Sequence, residues 1–485
     1  VDEMIKLKNY IGGEFLDPVG DGWIENFEPA TGKVYSYLPD SSAADVDHAV
    51  RAALEAFPAW SSTSASERAR VLNRIADLIE ENLESLARAE SRDQGKPYSL
   101  AKAMDVPRAA SNFRFFAGAI LHQEERATDM DGAALNYALR VPVGVAGLIS
   151  PWNLPLYLMT WKIAPAIATG NTCVVKGSEL TPMSAFLLSD ILSQAGLPAG
   201  VVNIVHGYGH SVGRAITSHP RIPIISFTGG TETGKDVQIQ AAEHCKKLSL
   251  ELGGKNPNLI FADAPFEECV TTSVRSSFTN QGEICLCGSR IFVQKPLYEE
   301  FLAAFIEKTK QLRVGDPLQD DTDLGALVSS DHLKKVQSYV ELSKGEGGEI
   351  VTGSDCPKLP ESLSGGFFMN PCVITGVPTD GRVMQEEIFG PVVTVTPFST
   401  EEEGLAMANS VRFGLASSLW TSDLRRAHRV ARRIEAGITW VNSWMLRDLR
   451  TPFGGMKASG SGREGGNYSL DFYSETKNIC VKISS

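Results

Sequence analysis

The sequence predicts an α/β protein with two successive doubly wound units and a small β arm. Three observations predict it. From Val141 onward, short apolar runs alternate with helical patterns of ten or more residues, which is how a parallel sheet with crossover helices reads. A second series of the same kind begins after Leu259-Ile260-Phe261. Two further segments, 127–142 and Tyr473–Ile483, read as strands with no core of their own nearby. A chain of 485 residues is also too long for one core, since domains run to about 100–200 residues.

The elements follow in order. Residues 9–39 alternate turn signals (Gly12-Gly13, Pro18, Gly20-Asp21, Pro29, Gly32) with short apolar pieces, which predicts hairpin strands. From Ser41 to Phe57 the apolar residues Val46, Ala49, Val50, Ala53, Leu54 and Phe57 fall at helical spacing. Ser64 with Glu67 three residues on marks a second helix start, followed by the stripe Val71, Ile75, Leu78 and Ile79, and helical character runs to about residue 122. Val141–Ile149 reads as one near-continuous strand closed by Ser150-Pro151-Trp152-Asn153, with a helix after it that ends at Gly170. Strand 172–176, helix 183–195, strand 201–205, helix 211–218 and strand 223–227 follow, then the turn Thr228-Gly229-Gly230-Thr231 and another helix. The second series comprises helix 266–280, strand 290–294, helices 297–311 and 331–345, strand 392–397 and helix 424–435. Residues 127–142 and the tail are expected to pair as a two-stranded arm, which is marginal alone and calls for a partner subunit. The expected division is 1–125 with 143–257, then 258–460, with 126–142 and 470–485 as the arm.

Bulk properties exclude several classes. A formal net charge of −12 repels phosphate backbones, so no nucleic-acid partner is expected. No apolar run reaches the roughly 18–20 residues that span a bilayer. Val1–Leu7 has no apolar core of a signal peptide. Eight cysteines (173, 245, 269, 285, 287, 356, 372 and 480) are scattered as reduced thiols would be, which predicts a cytoplasmic protein. Cys285 and Cys287 have no Cys-x-x-Cys or His cluster near them, so no metal is expected.

The chemistry-bearing pieces are a thiol and a carboxylate. Cys285 follows the polar turn Asn280-Gln281-Gly282-Glu283 at a helix end, where a buried structural cysteine is not expected. A thiol there becomes a nucleophile if its thiolate is stabilised. Cys287 lies on the same face if the segment is extended, so spacing alone leaves both open. Glu251 sits among alternating Leu248, Leu250 and Leu252 before Gly253-Gly254. It reads either as a strand-end general base or as an edge acid paired to Lys246, Lys247 or Lys255. Gly207-Tyr208-Gly209 and Thr228-Gly229-Gly230 with Gly234 are incomplete glycine turns, but they close successive strands, where a nucleotide crevice forms. Lys176 and Glu179 follow another strand end, suited to ribose hydroxyls, with Glu179 repelling a 2′-phosphate.

Together these stretches resemble the NAD(P)-dependent aldehyde dehydrogenase superfamily over essentially the whole chain. The matching motifs are Pro151-Trp152-Asn153-Leu154-Pro155, Gly170-Asn171-Thr172 with Lys176 and Glu179, Phe227-Thr228-Gly229, Leu250–Gly254, Asn280–Cys285, Glu386–Pro391 and Pro452–Gly455. Asn112–Phe116, Ile149–Tyr157 and Leu446–Gly455 are similar to the branch that acts on muconic semialdehydes. The resemblance implies a Rossmann-type parallel sheet for a cofactor domain, an α/β catalytic domain and a β oligomerisation arm. It implies Cys285 as nucleophile, Glu251 as general base and Asn153 as oxyanion amide. NAD is implied as cofactor, held by Ser150, Trp152, Lys176, Glu179, Gly207, Gly229, Gly230, Leu252, Glu387 and Phe389. The implied reaction carries an aldehyde through a thiohemiacetal and thioester to an acid. The implied substrate is 2-aminomuconic 6-semialdehyde of tryptophan catabolism, with 2-hydroxymuconic semialdehyde or retinal as alternatives and CoA acylation disfavoured by Glu251. A non-catalytic, crystallin-like role is the reading from a different class. A homodimer or homotetramer is implied. Arg114 and Arg447 fall in segments that line the family's substrate funnel, and either would suit a substrate carboxylate unless it pairs with an acid such as Asp448. Two departures stand out: Gly177 where many relatives carry proline, and Gly230 where serine is usual. Both are expected to weaken cofactor binding.

Overall fold

A computed structural model describes residues 4–483. Residues 1–3 and 484–485, which belong to the first predicted domain and to the arm, lie outside the described residues, so the leader reading of Val1–Leu7 is covered only from Met4.

Two helix starts form where the sequence places them. In α1 (Ala43–Ser61) the Ser42 hydroxyl accepts from Ala44 N at 3.2 Å, while Asp45 accepts from Ser42 N at 2.9 Å. In α2 (Ala65–Glu81) Ser64 and Glu67 cap each other in the same way. Helices α3 (Leu83–Gln94) and α4 (Val106–Ala119) continue the run. Phe113 and Phe116 of α4 are fully buried against Leu72 and Ile75 of α2 and Trp161 of α5 (Pro155–Ala168), which makes this bundle part of the larger core.

The first sheet has eight strands. In chain order these are β1 (Asn9–Ile11), β2 (Glu14–Leu16), β5 (Val145–Ile149), β6 (Thr172–Lys176), β7 (Val202–Ile204), β8 (Ile224–Thr228), β9 (Lys247–Glu251) and β17 (Gly460–Ser461). The arm strands β3 (Ala127–Asp129) and β4 (Ala134–Pro142) come between β2 and β5. Spatial order is β17-β9-β8-β5-β6-β7-β1-β2, parallel from β9 to β7 and antiparallel at both edges. The chain runs β5-β6-β7 in one direction and then returns to β8 and β9 on the other side, so the switch point lies between β5 and β8. A doubly wound sheet binds its ligand outside the carboxyl ends of the strands there. Helices α6 (Met183–Gln194) and α7 (Thr231–Ala242) are among the crossovers.

The second sheet contains β10 (Pro257–Ile260), β11 (Arg290–Gln294), β12 (Glu349–Thr352), β13 (Cys372–Thr375), β14 (Val392–Phe398), β15 (Ala416–Trp420) and β16 (Ile438–Val441). Its order is β12-β13-β14-β11-β10-β15-β16, with only β12 antiparallel. The strands at 349–352, 372–375, 416–420 and 438–441 were not foreseen.

Three expectations are corrected. The run Val141–Ile149 is two strands: Asn171 Oδ1 accepts from Val143 N at 2.7 Å and Gly144 N at 2.9 Å, which takes both amides out of any ladder. Helix 266–280 stops at Phe278, and this helix, α8 (Phe266–Phe278), is followed by a left-handed reversal. The arm has three strands, with β18 (Ser474–Lys482) paired antiparallel to β4 over its whole length and β4 paired to β3. After the second sheet the chain returns to the first at Gly460–Ser461, the limit expected for the catalytic unit.

Candidate active site

Four segments meet at the switch point. Ser150–Asn153 leaves β5, Thr228–Gly230 leaves β8, Glu251 ends β9, and the segment after α8 arrives from the second unit carrying Cys285. Of these segments Pro151–Asn153, Thr228–Gly230, Glu251 and Cys285 line, with Leu252, Gly253, His332, Lys335, Glu387 and Phe389, one cavity of about 240 Å³.

The approach to Cys285 is an enforced reversal. Asn280, Gln281 and Gly282 have φ of 55°, 57° and 74°, three left-handed residues in succession. A Cβ at Gly282 would lie 2.2 Å from Gly390 O, so only glycine closes the turn. Asn256 then holds the loop: its Nδ2 donates to Cys285 O at 2.7 Å and Cys287 O at 2.9 Å, and its Oδ1 accepts from Ala416 N at 3.0 Å. Cys285 and Leu286 form a turn, so the extended geometry that left Cys287 open does not occur. Cys287 is buried in an apolar cluster with Ile284, Leu286, Trp440 and Trp444, and of the two cysteines Cys285 lines the cavity shared with Glu251 and Asn153.

Asn153 is tied to the same segment, its Nδ2 donating to Glu283 O at 2.9 Å. The Glu283 carboxyl, fully buried and pushed up by that burial, accepts from Gln94 Nε2 at 2.5 Å and Val328 N at 3.1 Å. Glu251 differs: both of its carboxyl oxygens are buried without a hydrogen-bond partner among the described residues. Burial first, and then the Glu464 carboxylate, hold its acid well above the usual carboxylate range, while Lys162, Arg463 and Arg447 oppose this. The lysines that offered a structural role are engaged elsewhere or buried apart. Lys246 donates to Ile222 O at 2.6 Å, Lys247 to Ser474 O at 2.7 Å, and the Lys255 Nζ is buried without a hydrogen bond. Burial also raises the Cys285 thiol, reinforced by Glu387 and Glu251 and opposed by Arg447.

On the crevice side, Glu387 Oε1 accepts from Gly254 N at 2.8 Å, and a Cβ at Gly253 would lie 2.3 Å from Glu387 Oε2. Phe389 holds φ at 63°, with its carbonyl accepting from His332 Nε2 at 2.6 Å and its ring edge-on to Trp152 at 5.3 Å. A carbonyl only accepts, so Nε2 carries the proton, and burial lowers the His332 pKa to about 4, keeping the ring neutral. Leu252 packs under the first turn of α7 at Gly234. Lys176 Nζ donates to Glu179 Oε2 at 3.0 Å, Ser150 N donates to Lys176 O at 3.0 Å, and Gly207, at φ 141°, closes β7. These four follow the carboxyl ends of β5, β6 and β7 and are not among the residues that line the cavity, and Glu179 lines a separate one with Glu25 and Ser329. At Gly230 a Cβ would meet nothing within 4 Å, and at Gly177 it would lie 2.9 Å from the terminal methyl of Met159 and 4.0 Å from Ala185 Cβ.

The two arginines separate. Arg447 is half-buried, its Nη1 donating to Tyr157 Oη at 2.7 Å and its guanidinium lying over the Phe453 ring at 4.1 Å. No carboxylate pairs with it among the described residues, because Asp448 pairs with Arg450 at 2.6 Å. Arg114 is a correction: it is spent on the surface, at 2.9 Å from Asp77 and 2.6 Å from Glu80 of α2. The cation of α4 that reaches this side is Arg108, whose guanidinium lies 5.4 Å from the Tyr157 ring. The signal was present: Arg108 is four residues before Asn112, which donates to Tyr157 O at 3.2 Å, and i,i+4 residues share a helix face.

Comparison with known proteins shows the family. The model described as "Aldehyde dehydrogenase family" matches residues 15–479. A 2-aminomuconic semialdehyde dehydrogenase of Danio rerio is 54% identical over 98% of this chain and 98% of its own length. A 2-hydroxymuconic semialdehyde dehydrogenase of Pseudomonas sp. (strain CF600) is 46% identical over 99% of this chain and 100% of its own. The solved NAD+ complex of an aldehyde dehydrogenase from Bacillus cereus superposes with a TM-score of 0.96 at 39% identity, covering 99% and 97% of the two chains.

Proposed function

Since this chain belongs to the aldehyde dehydrogenase family, we propose that it oxidises 2-aminomuconic 6-semialdehyde to 2-aminomuconate with NAD, as a step of tryptophan catabolism. One observation carries the substrate class: Arg447, with no carboxylate of its own, is close enough to Cys285 and Glu251 to favour the ionised form of each. A semialdehyde bearing a carboxylate puts an anion on that guanidinium while its aldehyde reaches the thiol, and Arg108 lies on the same side. Retinal offers no such anion.

The crevice suits a dinucleotide. Gly230, where a Cβ would meet nothing within 4 Å, precedes the first turn of α7, Glu387 and Phe389 line the same cavity, and the Lys176–Glu179 pair would hold ribose hydroxyls while disfavouring a 2′-phosphate. Bound NAD supplies the acceptor for the hydride that turns the cysteine adduct into a thioester. The remaining work falls to this chain. The Cys285 thiolate, the form that Arg447 favours, attacks the aldehyde carbon, its proton having left to solvent. The oxyanion is met by the Cys285 N–H and by the amide hydrogen of Asn153 that is not given to Glu283 O. Glu251, its oxygens uncommitted, takes a proton from the water that cleaves the thioester.

Residues 1–125 and 143–257 then serve the cofactor and 258–460 the chemistry. The arm, 126–142 with 470–485, joins subunits into a homodimer or homotetramer, for its strands expose Leu135, Leu139 and Val481. Eight free cysteines support the cytoplasm. Among the described residues no helix is long and apolar enough to cross a membrane.

The test is NADH production over a panel of carboxylated and neutral aldehydes with Arg447→Ala. Losing a charge-assisted hydrogen bond of about 1.5–3 kcal/mol should raise KM for carboxylated semialdehydes about 10–100-fold. Neutral aldehydes should be little affected. Equal loss on both kinds contradicts the carboxylate clamp, and no NADH with any aldehyde contradicts the reaction.

A further inference from the structure

Behind the active site lies an ionic cluster that none of the steps above uses. Lys96, Glu90 and Asp105 are fully buried, with Lys96 Nζ 2.6 Å from Asp105 Oδ2 and 3.9 Å from Glu90 Oε2. One oxygen of each acid, Glu90 Oε2 and Asp105 Oδ1, has no hydrogen-bond partner among the described residues. Burying three charges costs several kcal/mol per ion, and well-packed apolar side chains of similar volume hold a fold as well or better, so such a cluster is weak as a source of stability.

Its contacts suggest another use. Lys96 Nζ donates to Asn153 O at 3.0 Å, and Glu90 Oε1 accepts from Leu156 N at 3.0 Å. The cluster thus grips both ends of the turn that carries the Asn153 amide from β5 into α5. Between the two gripping residues lies Gln94, which holds the Glu283 carboxyl two residues before Cys285. A single stretch, 90–96, fastens the amide on one side and the nucleophile segment on the other. Its own bend is fixed by Gly95 at φ 89°, where a Cβ would lie 2.4 Å from Ala326 O.

We infer that Glu90, Lys96 and Asp105 are positioning residues for the known reaction: they set the Asn153 amide against Cys285 through backbone hydrogen bonds at Asn153 and Leu156. The inference rests on the reading of Asn153 as the oxyanion donor. Neither acid nor amine touches substrate. Burial pushes the carboxyls of Glu90 and Asp105 above the usual range, and Lys96 opposes this in both.

Two substitutions at one position isolate the grip, because each removes the same charge. Glu90→Gln keeps an oxygen for Leu156 N, and Glu90→Leu does not. A displacement of about 1 Å at a reacting group costs on the order of 100-fold, so Glu90→Leu should lower kcat about 10–100-fold. The isotope effect with 1-deuterated aldehyde should rise, since the step that builds the oxyanion and expels hydride becomes limiting. NAD affinity should stay within about twofold, and Glu90→Gln should keep most of kcat. Wild-type kcat in folded Glu90→Leu, or equal losses in both variants, overturns the inference. If Glu90→Leu does not fold, the double variant Lys96→Met/Asp105→Leu, which removes cation and anion together, must show the same kcat loss, and wild-type kcat in it overturns the inference equally. Asn153→Ala separates the two levels: if it leaves kcat intact the oxyanion reading itself fails, and if it lowers kcat while Glu90→Leu does not, only the positioning role fails.

Discussion

Glu251 ends a parallel strand with both oxygens buried and unpartnered among the described residues, and its acid is held above the usual range mainly by burial. Two consequences have opposite signs. The carboxylate is the active form, so the hydrolytic rate should rise with pH through this raised pKa, and Glu251→Gln should flatten that limb while lowering kcat by about 100–10,000-fold. Stability runs the other way. The folded protein holds the proton more tightly than the unfolded chain, so the stability is present below about pH 4.3 and is lost as pH rises through the folded pKa. Glu251→Gln should therefore melt no lower than wild type near neutral pH, checked by calorimetry against pH. At this scale the sequence was informative about residue type and silent about partners. It named Glu251 and offered lysines that the fold sends elsewhere. It named Arg114 when the face of α4 toward Tyr157 carries Arg108, because motif matching ignores which side of a helix a residue is on.

Among the elements, several regular strands and helices were read to within a residue or two, as at Thr172–Lys176 and Arg290–Gln294, whereas the helix expected over 424–435 ends at Ala431. What escaped was set by side chains distant in sequence. Asn171 splits the strand expected over 141–149, and the reversal at Asn280–Gly282 is invisible to a periodicity that continues helical through it. That reversal delivers Cys285, and it depends on one glycine. Gly282→Ala places a Cβ in a left-handed residue 2.2 Å from Gly390 O. It should cost about 1–3 kcal/mol of stability and at least about tenfold in kcat, read by thermal melting and steady-state rates. If melting and kcat are both unchanged, the strained approach is not what places the thiol.

Over the whole molecule the two sheets bring their parts to one seam: β5, β8 and β9 supply Asn153, Gly229 and Glu251, and the second unit supplies Cys285, Glu387 and Phe389. The alternation of strands and helices made this architecture legible. The four unforeseen strands of the second sheet were not, although Glu349–Thr352 follows the helix Ser330–Gly345 and Ile438–Val441 follows the helix Leu424–Ala431. The arm was legible as strands without a core, and its third strand, Ala127–Asp129, was hidden inside a segment taken as one. The central claim is that a thioester forms on Cys285 and waits for Glu251. The direct measurement is mass spectrometry of peptides from Glu251→Gln protein quenched after mixing with NAD and a carboxylated semialdehyde. The account predicts one NADH per active site in a burst and an acyl adduct on Cys285, with Cys287 unmodified. NADH formed with no adduct, or an adduct on Cys287, would contradict it.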